Sequence, residues 1–146
     1  RCASTEKWQI LFLWITRNTI KKQWRSLNAH QSGTVIYTDA PVDNQGEGRF
    51  FSPTDLVATA LTDCIFTIMG INARTQGFSI DGAKATTNKI MATTAPRRIA
   101  EIVIDFDFSM CELTEKQQET LKRIHKICPV SLSLHPDIKQ TINYKF

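Results

Sequence analysis

The sequence predicts a single domain that contains both helices and strands. At 146 residues the chain has the length of one domain and can bury roughly two thirds of the surface that its unfolded form exposes. Two long stretches carry helix start and stop signals. Shorter stretches around them alternate between apolar and polar residues, as half-buried strands do. No internal repeat, low-complexity tract or linker divides the sequence.

The composition is that of an ordinary globular protein, with 42% hydrophobic and 22% charged residues. The formal net charge of +4 is mildly basic, but the basic residues are spread along the chain without interleaved aromatic residues. We interpret this charge as solvated surface and predict no nucleic-acid partner. The 4 cysteines do not make a disulfide-stapled scaffold and none has zinc-site spacing, so we predict neither a metal nor a cofactor.

The first helix is predicted to begin at Pro53 and to run past Cys64 to about residue 73 or 75. Ser52 is a good N-cap, proline suits the first helical position, and Asp55 in the first turn suits the helix dipole. Gly77 lies where a C-cap belongs. Apolar residues recur at steps of three to five and predict a buried face made of Leu56, Ala60, Cys64 and Ile68 or Met69. A cysteine on such a face is usually core filler, so this helix alone assigns it no chemistry.

A second helix is predicted from about Leu113 to Cys128. Thr114 followed three residues later by Gln117 is a capping box, and Pro129 ends the helix directly after the cysteine. Its buried stripe is predicted to contain Leu121, Ile124 and Ile127 or Cys128. The chain therefore has two half-buried cysteines on helix faces that turn toward a neighbour, which is the layout of a candidate redox pair.

Strands are predicted at Thr34–Thr38, at Phe78–Thr87 with a continuation to Thr94, at Ile99–Met110 and at Thr141–Phe146. The third is the clearest, because it separates an apolar face (Ile102, Ile104, Phe106, Phe108) from a more polar one (Val103, Asp105, Asp107). Between the first strand and the first helix, the residues Asp43–Gly48 predict a loop.

Residues 1–22 do not fit this pattern. The apolar run Trp8–Ile15 is far shorter than the roughly 20 residues that span a bilayer, and we predict no membrane partner. Basic residues beside a short apolar core suggest a signal peptide, but no small-residue cleavage site follows. We interpret residues 1–22 as an extension that packs on the domain or on a second subunit, or as an added segment, and predict the domain itself over 23–146. Cys2 and Cys111 are assigned no role.

The two cysteine segments resemble the cysteine motifs of the OsmC/Ohr family (osmotically induced protein C and organic hydroperoxide resistance protein), in its OsmC-like branch. The first is similar to the family's Pro-x-x-Leu-x-x-Ala-x-x-x-x-Cys helix through Pro53, Leu56 and Cys64, with Thr59 or Ala60 near the motif's alanine. The second is similar to its His-Lys-x-Cys-Pro-x-Ser motif through His125, Lys126, Cys128, Pro129 and Ser131. The segment Lys89–Ile99 resembles the family's central strands, so the resemblance covers about residues 25–146.

This resemblance implies an α+β fold in which antiparallel sheets wrap two central cysteine-bearing helices and two subunits interlock as a homodimer. It also implies a cytoplasmic peroxidase that reduces organic hydroperoxides. Cys64 would attack the peroxide, Cys128 would resolve the resulting sulfenic acid, and an external dithiol would restore both thiols.

In the family, an arginine from the N-terminal strands pairs with the attacking thiolate, and a glutamate after the helix-start proline holds that arginine. Here Thr54 stands at the position of the glutamate, and Asp55 is the nearest carboxylate. Arg25 is the best candidate for the arginine and Arg49 the second, although either could equally be a solvent-exposed cation. His125 is interpreted as a partly buried helix histidine or as a residue that tunes the nearby thiol.

An apolar setting around the thiol favours organic hydroperoxides over hydrogen peroxide, because an alkyl tail gains from burial. We predict that the substrate rim contains Phe50, Phe51, Leu61 and Ile65. The alternative is a family member without fast catalysis that binds a small hydrophobic ligand, or a structural dimer whose cysteines are plain core. The missing helix-start glutamate favours this alternative.

Overall fold

The computed structural model describes residues 16–20 and 25–146. The chain divides into two compact units, Arg1–Ser52 and Pro53–Phe146, which are the first and the second unit. The described part of the first unit contains three strands and a short 3-10 helix, and the second unit combines a three-stranded sheet with helices. Both units contain antiparallel strand pairs, and the second also contains helices, in agreement with the predicted α+β class.

The first unit contains an antiparallel sheet of three strands in the order β1 (Thr16–Ile20), β2 (Ser26–His30) and β3 (Val35–Thr38). The β2–β3 connection is a tight turn in which Gly33 adopts a φ of +88°, a conformation that glycine reaches without steric cost. A short 3-10 helix (Val42–Asn44) follows, as expected for a loop in this region. The position of β3 confirms the predicted strand at Thr34–Thr38.

The N-terminal predictions are tested only in part. The apolar run Trp8–Ile15 and Cys2 lie outside the described residues. Within residues 1–22, the structure contains β1, which pairs with β2. The predicted domain start at residue 23 stays a prediction, because the division between the two compact units falls between Ser52 and Pro53.

The second unit begins with α1 (Pro53–Gln76), whose length agrees with the prediction. Gly77 ends the helix with a φ of +77°, and the amide of Phe78 donates to the carbonyl of Ala73 at 3.0 Å. This is the hydrogen bond of a Schellman C-cap. In the part of the chain that the structure describes, α1 is the one helix long and apolar enough to cross a membrane by length and composition. It serves here as a core helix.

The buried face of α1 is rotated from the predicted one. The buried positions are Ala58, Leu61, Thr62, Ile65, Met69 and Ala73. Ala60, which we expected to be buried, is exposed, and Cys64 lies half-buried at the edge of the face. The reason is that α1 is apolar around much of its circumference, so that a periodicity of three to five residues fits more than one face.

The second sheet contains β4 (Lys84–Met91), β5 (Ile99–Asp107) and β6 (Lys139–Lys145), in that order. β4 and β5 are antiparallel, but β5 and β6 run parallel, so this sheet is mixed rather than antiparallel throughout. The parallel pair arises because the helical region between β5 and β6 returns the chain to the end where β5 began. The first predicted strand of this region is also shorter than expected, since residues 78–83 form turns and loop.

The core of the second unit lies between α1 and one face of β5. The alternation predicted for β5 is confirmed, with Ile102, Ile104, Phe106 and Phe108 at most 1% exposed. Phe66 of α1 contacts Phe106 edge-to-face with ring centroids 5.0 Å apart. Burial of each such side chain stabilises the fold by about 1.5–3 kcal/mol.

The helical region after β5 is divided into three parts. α2 (Glu115–Arg123) begins at the predicted capping box, in which the Thr114 amide donates to Gln117 Oε1 at 2.8 Å and the Gln117 amide donates to Thr114 Oγ1 at 3.4 Å. A 3-10 helix (Ile124–Ile127) follows, and then α3 (Pro129–Ser133). The prediction of one helix ending at Cys128 was therefore wrong. Proline fits the first position of a helix as well as it ends one, so Pro129 starts α3.

Candidate active site

Two thiols from distant parts of the sequence meet in the second unit. Cys64 comes from α1 and Cys128 from the junction between the 3-10 helix and α3, and the two side chains lie close enough for Cys64 to raise the pKa of Cys128. Both thiols are free. Cys128 is 0% exposed, whereas Cys64 is half-buried and retains access to solvent. The structure therefore brings together the two residues that the sequence predicts as a redox pair.

Cys128 occupies the N-cap position of α3. Its sulfur accepts a hydrogen bond from the amide of Ser131 at 3.5 Å. Burial raises the pKa of the Cys128 thiol, the interaction with Cys64 raises it further, and the amides of Ser131 and Val130 act in the opposite direction. The amides favour the thiolate because their N–H groups at a helix start point toward developing negative charge.

Ser131 is itself held by Gln140 of β6. The hydroxyl of Ser131 donates to Gln140 Oε1 at 2.6 Å, and Gln140 Nε2 donates to the carbonyl oxygen of Ser131 at 3.2 Å. Gln140 was not among the predicted site residues. No local sequence signal marks it, because a glutamine on a strand can hold Ser131 only when the strand and α3 are packed together.

His125 lies in the 3-10 helix before Cys128. Its Nδ1 atom is 3.4 Å from the hydroxyl of Tyr144 on β6, and its carbonyl accepts from the Cys128 amide at 3.3 Å. Burial raises the pKa of Tyr144 to about 12. The structure thus places the imidazole against a neutral tyrosine, and a role in tuning the thiol stays a prediction.

Thr54 and Asp55 lie at the start of α1 and contact a buried lysine. Lys89 of β4 donates to Thr54 Oγ1 at 2.7 Å and to Asp55 Oδ1 at 2.8 Å, and its side chain is only 14% exposed. Cys64 lies nine residues beyond Asp55, which is about 14 Å along the helix axis. These two predicted supporting residues therefore stabilise the helix start rather than contact the thiol pair. Lys89 was missed as their partner.

Arg25 and Arg49 belong to the first unit and share a carboxylate. Glu47 forms an ion pair with Arg25, and the same oxygen, Oε2, lies 2.6 Å from Arg49 Nε. Arg25 Nε is also 3.9 Å from Oδ2 of Asp39, a residue that is 1% exposed. Within the first unit, Arg25 is thus held by Glu47 and Asp39. Neither carboxylate was predicted as its partner.

The four predicted rim residues divide into two pairs. Phe50 and Phe51 are 45% and 56% exposed, which is compatible with a rim. Leu61 and Ile65 are 0% exposed and pack in the core of the second unit, so their prediction as rim residues is corrected. They point inward because the buried face of α1 is rotated from the expected one.

The fold and the paired thiols define an α+β domain with a dithiol centre, and proteins of known structure share this architecture. A family model described as "OsmC-like protein" matches residues 46–143. A crystal structure from Psychrobacter arcticus 273-4, described as an osmotic stress induced and detoxification response protein, is 43% identical with a TM-score of 0.85. The match covers 90% of this chain and 96% of the Psychrobacter chain. No protein with a curated description matches.

More distant structures show the same fold. An organic hydroperoxide resistance protein OsmC from Legionella pneumophila is 17% identical with a TM-score of 0.71, and the match covers 92% of this chain and 98% of that one. An organic hydroperoxide resistance protein from Vibrio cholerae, with captopril bound in one of its active sites, is 14% identical with a TM-score of 0.70, covering 93% and 94%. The chain belongs to the OsmC-like family.

Proposed function

We propose that this protein is a thiol-dependent hydroperoxide reductase in which Cys64 attacks the peroxide and Cys128 resolves the product. The observation that carries the proposal is the proximity of the two thiols, contributed by α1 and by the start of α3. Two of the similar structures are named for organic hydroperoxide resistance, which supports the same reaction class.

In the first step, the Cys64 thiolate attacks one peroxide oxygen and the O–O bond breaks. The alkoxide takes up a proton and leaves as an alcohol, and Cys64 becomes a sulfenic acid. The assignment of this step to Cys64 is supported by exposure, because Cys64 is half-buried whereas Cys128 is 0% exposed. A peroxide from solvent therefore reaches Cys64 first.

In the second step, the Cys128 thiolate attacks the Cys64 sulfur, a disulfide forms and the sulfenic oxygen leaves as water. The two thiols already interact before oxidation, and disulfide formation brings their sulfurs to the S–S bond length of about 2.05 Å. An external dithiol then reduces the disulfide. We propose a cytoplasmic setting, where such reductants keep thiols reduced.

For the cation that pairs with the attacking thiolate we propose Arg25, with Arg49 as the second candidate. The family's helix-start glutamate is replaced by Thr54, and Arg25 is instead paired with Glu47. Organic hydroperoxides are the proposed substrates, because the exposed rings of Phe50 and Phe51 offer apolar surface to an alkyl tail.

We also propose the interlocked homodimer that the family resemblance implies. Three consecutive residues of β3, Val35, Ile36 and Tyr37, are 44–47% exposed, although successive side chains of a strand point to opposite faces. On α1, Ile71 is 50% exposed. A second copy of the chain would cover such apolar surface.

The experiment is a thiol count on the reduced protein after one equivalent of cumene hydroperoxide, acid-quenched and denatured so that buried thiols react. The proposal predicts the loss of two of the 4 thiols per chain. The loss should be abolished by Cys64→Ser and kept by the control Cys111→Ser, which removes another half-buried cysteine. No thiol loss in the wild-type chain would contradict the proposal.

A second candidate function, binding of a small ligand without catalysis, is favoured by a cavity of about 570 Å³ at the end of α1. Arg74 and Asp81 supply charged groups, and Phe78 and Ile80 supply apolar wall. The volume is within the range of small-molecule sites. The thiol count separates the two functions, because ligand binding consumes no thiols.

A further inference from the structure

The resolving cysteine depends on a short helix for its electrostatic environment. α3 is a single turn of five residues, and its amide at Ser131 donates to the sulfur of Cys128, while the amide of Val130 also lowers the pKa of that thiol. Pro129, at the first position of α3, has no N–H to offer. The direction of these amides therefore depends on how firmly the turn is held against the rest of the unit.

Gln140 holds this turn from two sides. Its side-chain carbonyl accepts from the Ser131 hydroxyl at 2.6 Å, and its amide donates to the Ser131 main-chain carbonyl at 3.2 Å. The second bond acts directly on the backbone of α3. Gln140 is fixed in turn by its strand, since β6 pairs with β5 opposite the buried Ile102.

We propose that Gln140 is a positioning residue for Cys128. By hydrogen-bonding to both the side chain and the backbone of Ser131, it keeps the Ser131 amide directed at the Cys128 sulfur. The inference concerns the resolving step, so it rests on the proposed function. In that step the sulfur must lose its proton before it displaces water from the Cys64 sulfenic acid. An amide held in place stabilises the resulting thiolate without reorganisation.

The consequence is a measurable change in the titration of Cys128. Hydrogen bonds to the charged form favour that form, so a loosened Ser131 amide should raise the pKa of Cys128 further above its ordinary range. In the described residues, the titratable group that acts on this thiol is Cys64. All variants are therefore compared in one background in which Cys64 is absent.

The test uses chains in which Cys2, Cys64 and Cys111 are replaced by serine, so that Cys128 is the remaining cysteine. The protein is labelled with 13Cβ-cysteine, and the thiolate fraction is followed by NMR against pH, which requires no reagent to reach a buried sulfur. Gln140→Ala and Gln140→Met should each raise the pKa of Cys128 by about one unit. The methionine variant fills the side-chain volume, so that it separates lost hydrogen bonds from a cavity.

The matched control is Asn143→Ala on the same strand. Asn143 is exposed and donates to Asp105 at 2.7 Å on the outer face of the β5–β6 pair, away from α3. It should leave the titration unchanged. If neither Gln140 variant folds, Ser131→Ala removes the hydroxyl half of the same contact and should raise the pKa by a smaller amount. A titration that is unchanged in a folded Gln140 or Ser131 variant overturns the proposal.

A second arm distinguishes this inference from the proposed function. In the chain with all cysteines, Gln140→Ala should slow the closure of the disulfide after one equivalent of cumene hydroperoxide, while the first oxidation of Cys64 keeps its rate. If the wild-type chain does not react with peroxide, the proposed function fails, but the titration still decides whether Gln140 positions Cys128. If the wild type reacts and the titration does not move, only the inference fails.

Discussion

The Cys64 thiol lies beside the Cys128 thiol and raises its pKa, and this contact joins the middle of α1 to the first turn of α3. The two cysteines lie on different elements of the fold, so that local structure alone does not bring them together. α1 is fixed by its buried face against β5, and α3 is fixed by Gln140 and by the start of β6. The pair is therefore a product of core packing, and it supplies both halves of a two-cysteine peroxide reaction.

Replacement of the resolving cysteine should change the fate of Cys64. In Cys128→Ser the sulfenic acid has no partner thiol, so a second equivalent of peroxide should convert Cys64 to the sulfinic acid. Intact-mass spectrometry should detect the addition of two oxygen atoms. The control is Cys111→Ser, which should form the disulfide and gain no oxygen. A Cys128→Ser chain that stays at the sulfenic level under excess peroxide would count against Cys128 as the resolving residue.

Ionisation of Tyr144 should destabilise the fold at high pH. The pKa of Tyr144 is raised by burial to about 12, whereas a tyrosine in the unfolded chain titrates near 10. The raised pKa favours the neutral form, so its contribution to stability is full below pH 10 and is lost as the pH rises through 12. The free energy of unfolding of the wild type, minus that of Tyr144→Phe, should therefore fall as the pH rises from 10 to 12.

Chemical denaturation across that range measures this difference. Tyr37→Phe is the control, because Tyr37 is 47% exposed and reports general alkaline effects on a tyrosine. At pH 7, Tyr144→Phe should cost about 0.5–1.5 kcal/mol, since the hydroxyl lies 3.4 Å from His125 Nδ1 and from the Lys122 carbonyl oxygen. A difference that is constant up to pH 12 would contradict the assignment of a buried, neutral hydroxyl.

The contact of Lys89 with Asp55 should stabilise the start of α1. Asp55→Asn removes a partner 2.8 Å from a lysine that is only 14% exposed, and it also removes a negative charge from the first helical turn. We expect a loss of about 1 kcal/mol in the free energy of unfolding. Asp63→Asn, an exposed acid in the middle of the same helix, should change stability by less than about 0.5 kcal/mol. Equal effects of the two substitutions in urea denaturation would remove the basis for this assignment.

Leu61 should matter for stability and not for substrate choice. It is 0% exposed in the core, so Leu61→Ala should lower the free energy of unfolding by about 2–5 kcal/mol. Leu132→Ala, at a position 72% exposed, should lower it by less than about 0.5 kcal/mol.

Under conditions where the variants are folded, Phe51→Ala should change the preference for cumene hydroperoxide over hydrogen peroxide. Leu61→Ala should keep that preference. A shift in preference with Leu61→Ala alone would restore Leu61 to the rim.

The sequence was most informative where signals are local. Pro53 and Gly77 correctly predicted the two ends of α1, because both residues act through their own backbone conformation. The Thr114 capping box located the start of α2 for the same reason. The alternation in β5 identified its buried face, because a strand with acidic residues on one side can bury only the other.

The errors lie where a choice depends on a distant neighbour. The buried face of α1 was misplaced since an apolar helix offers several faces, and packing against β5 selects one. Three further features each depend on packing between separate elements. They are the parallel pairing of β6 with β5, the hydrogen bonds of Gln140 with Ser131 and the contact of Lys89 with Asp55.

By itself, the sequence determined the residue types that can do the chemistry, the limits of the main helix and the capping of the second, because each is encoded within a few neighbouring residues. Only the tertiary structure decided that the two thiols interact, that one is accessible and the other enclosed, and that Gln140 holds the turn that carries the second. These properties depend on distances between elements, which are set when the core closes and excludes water from one side of each element.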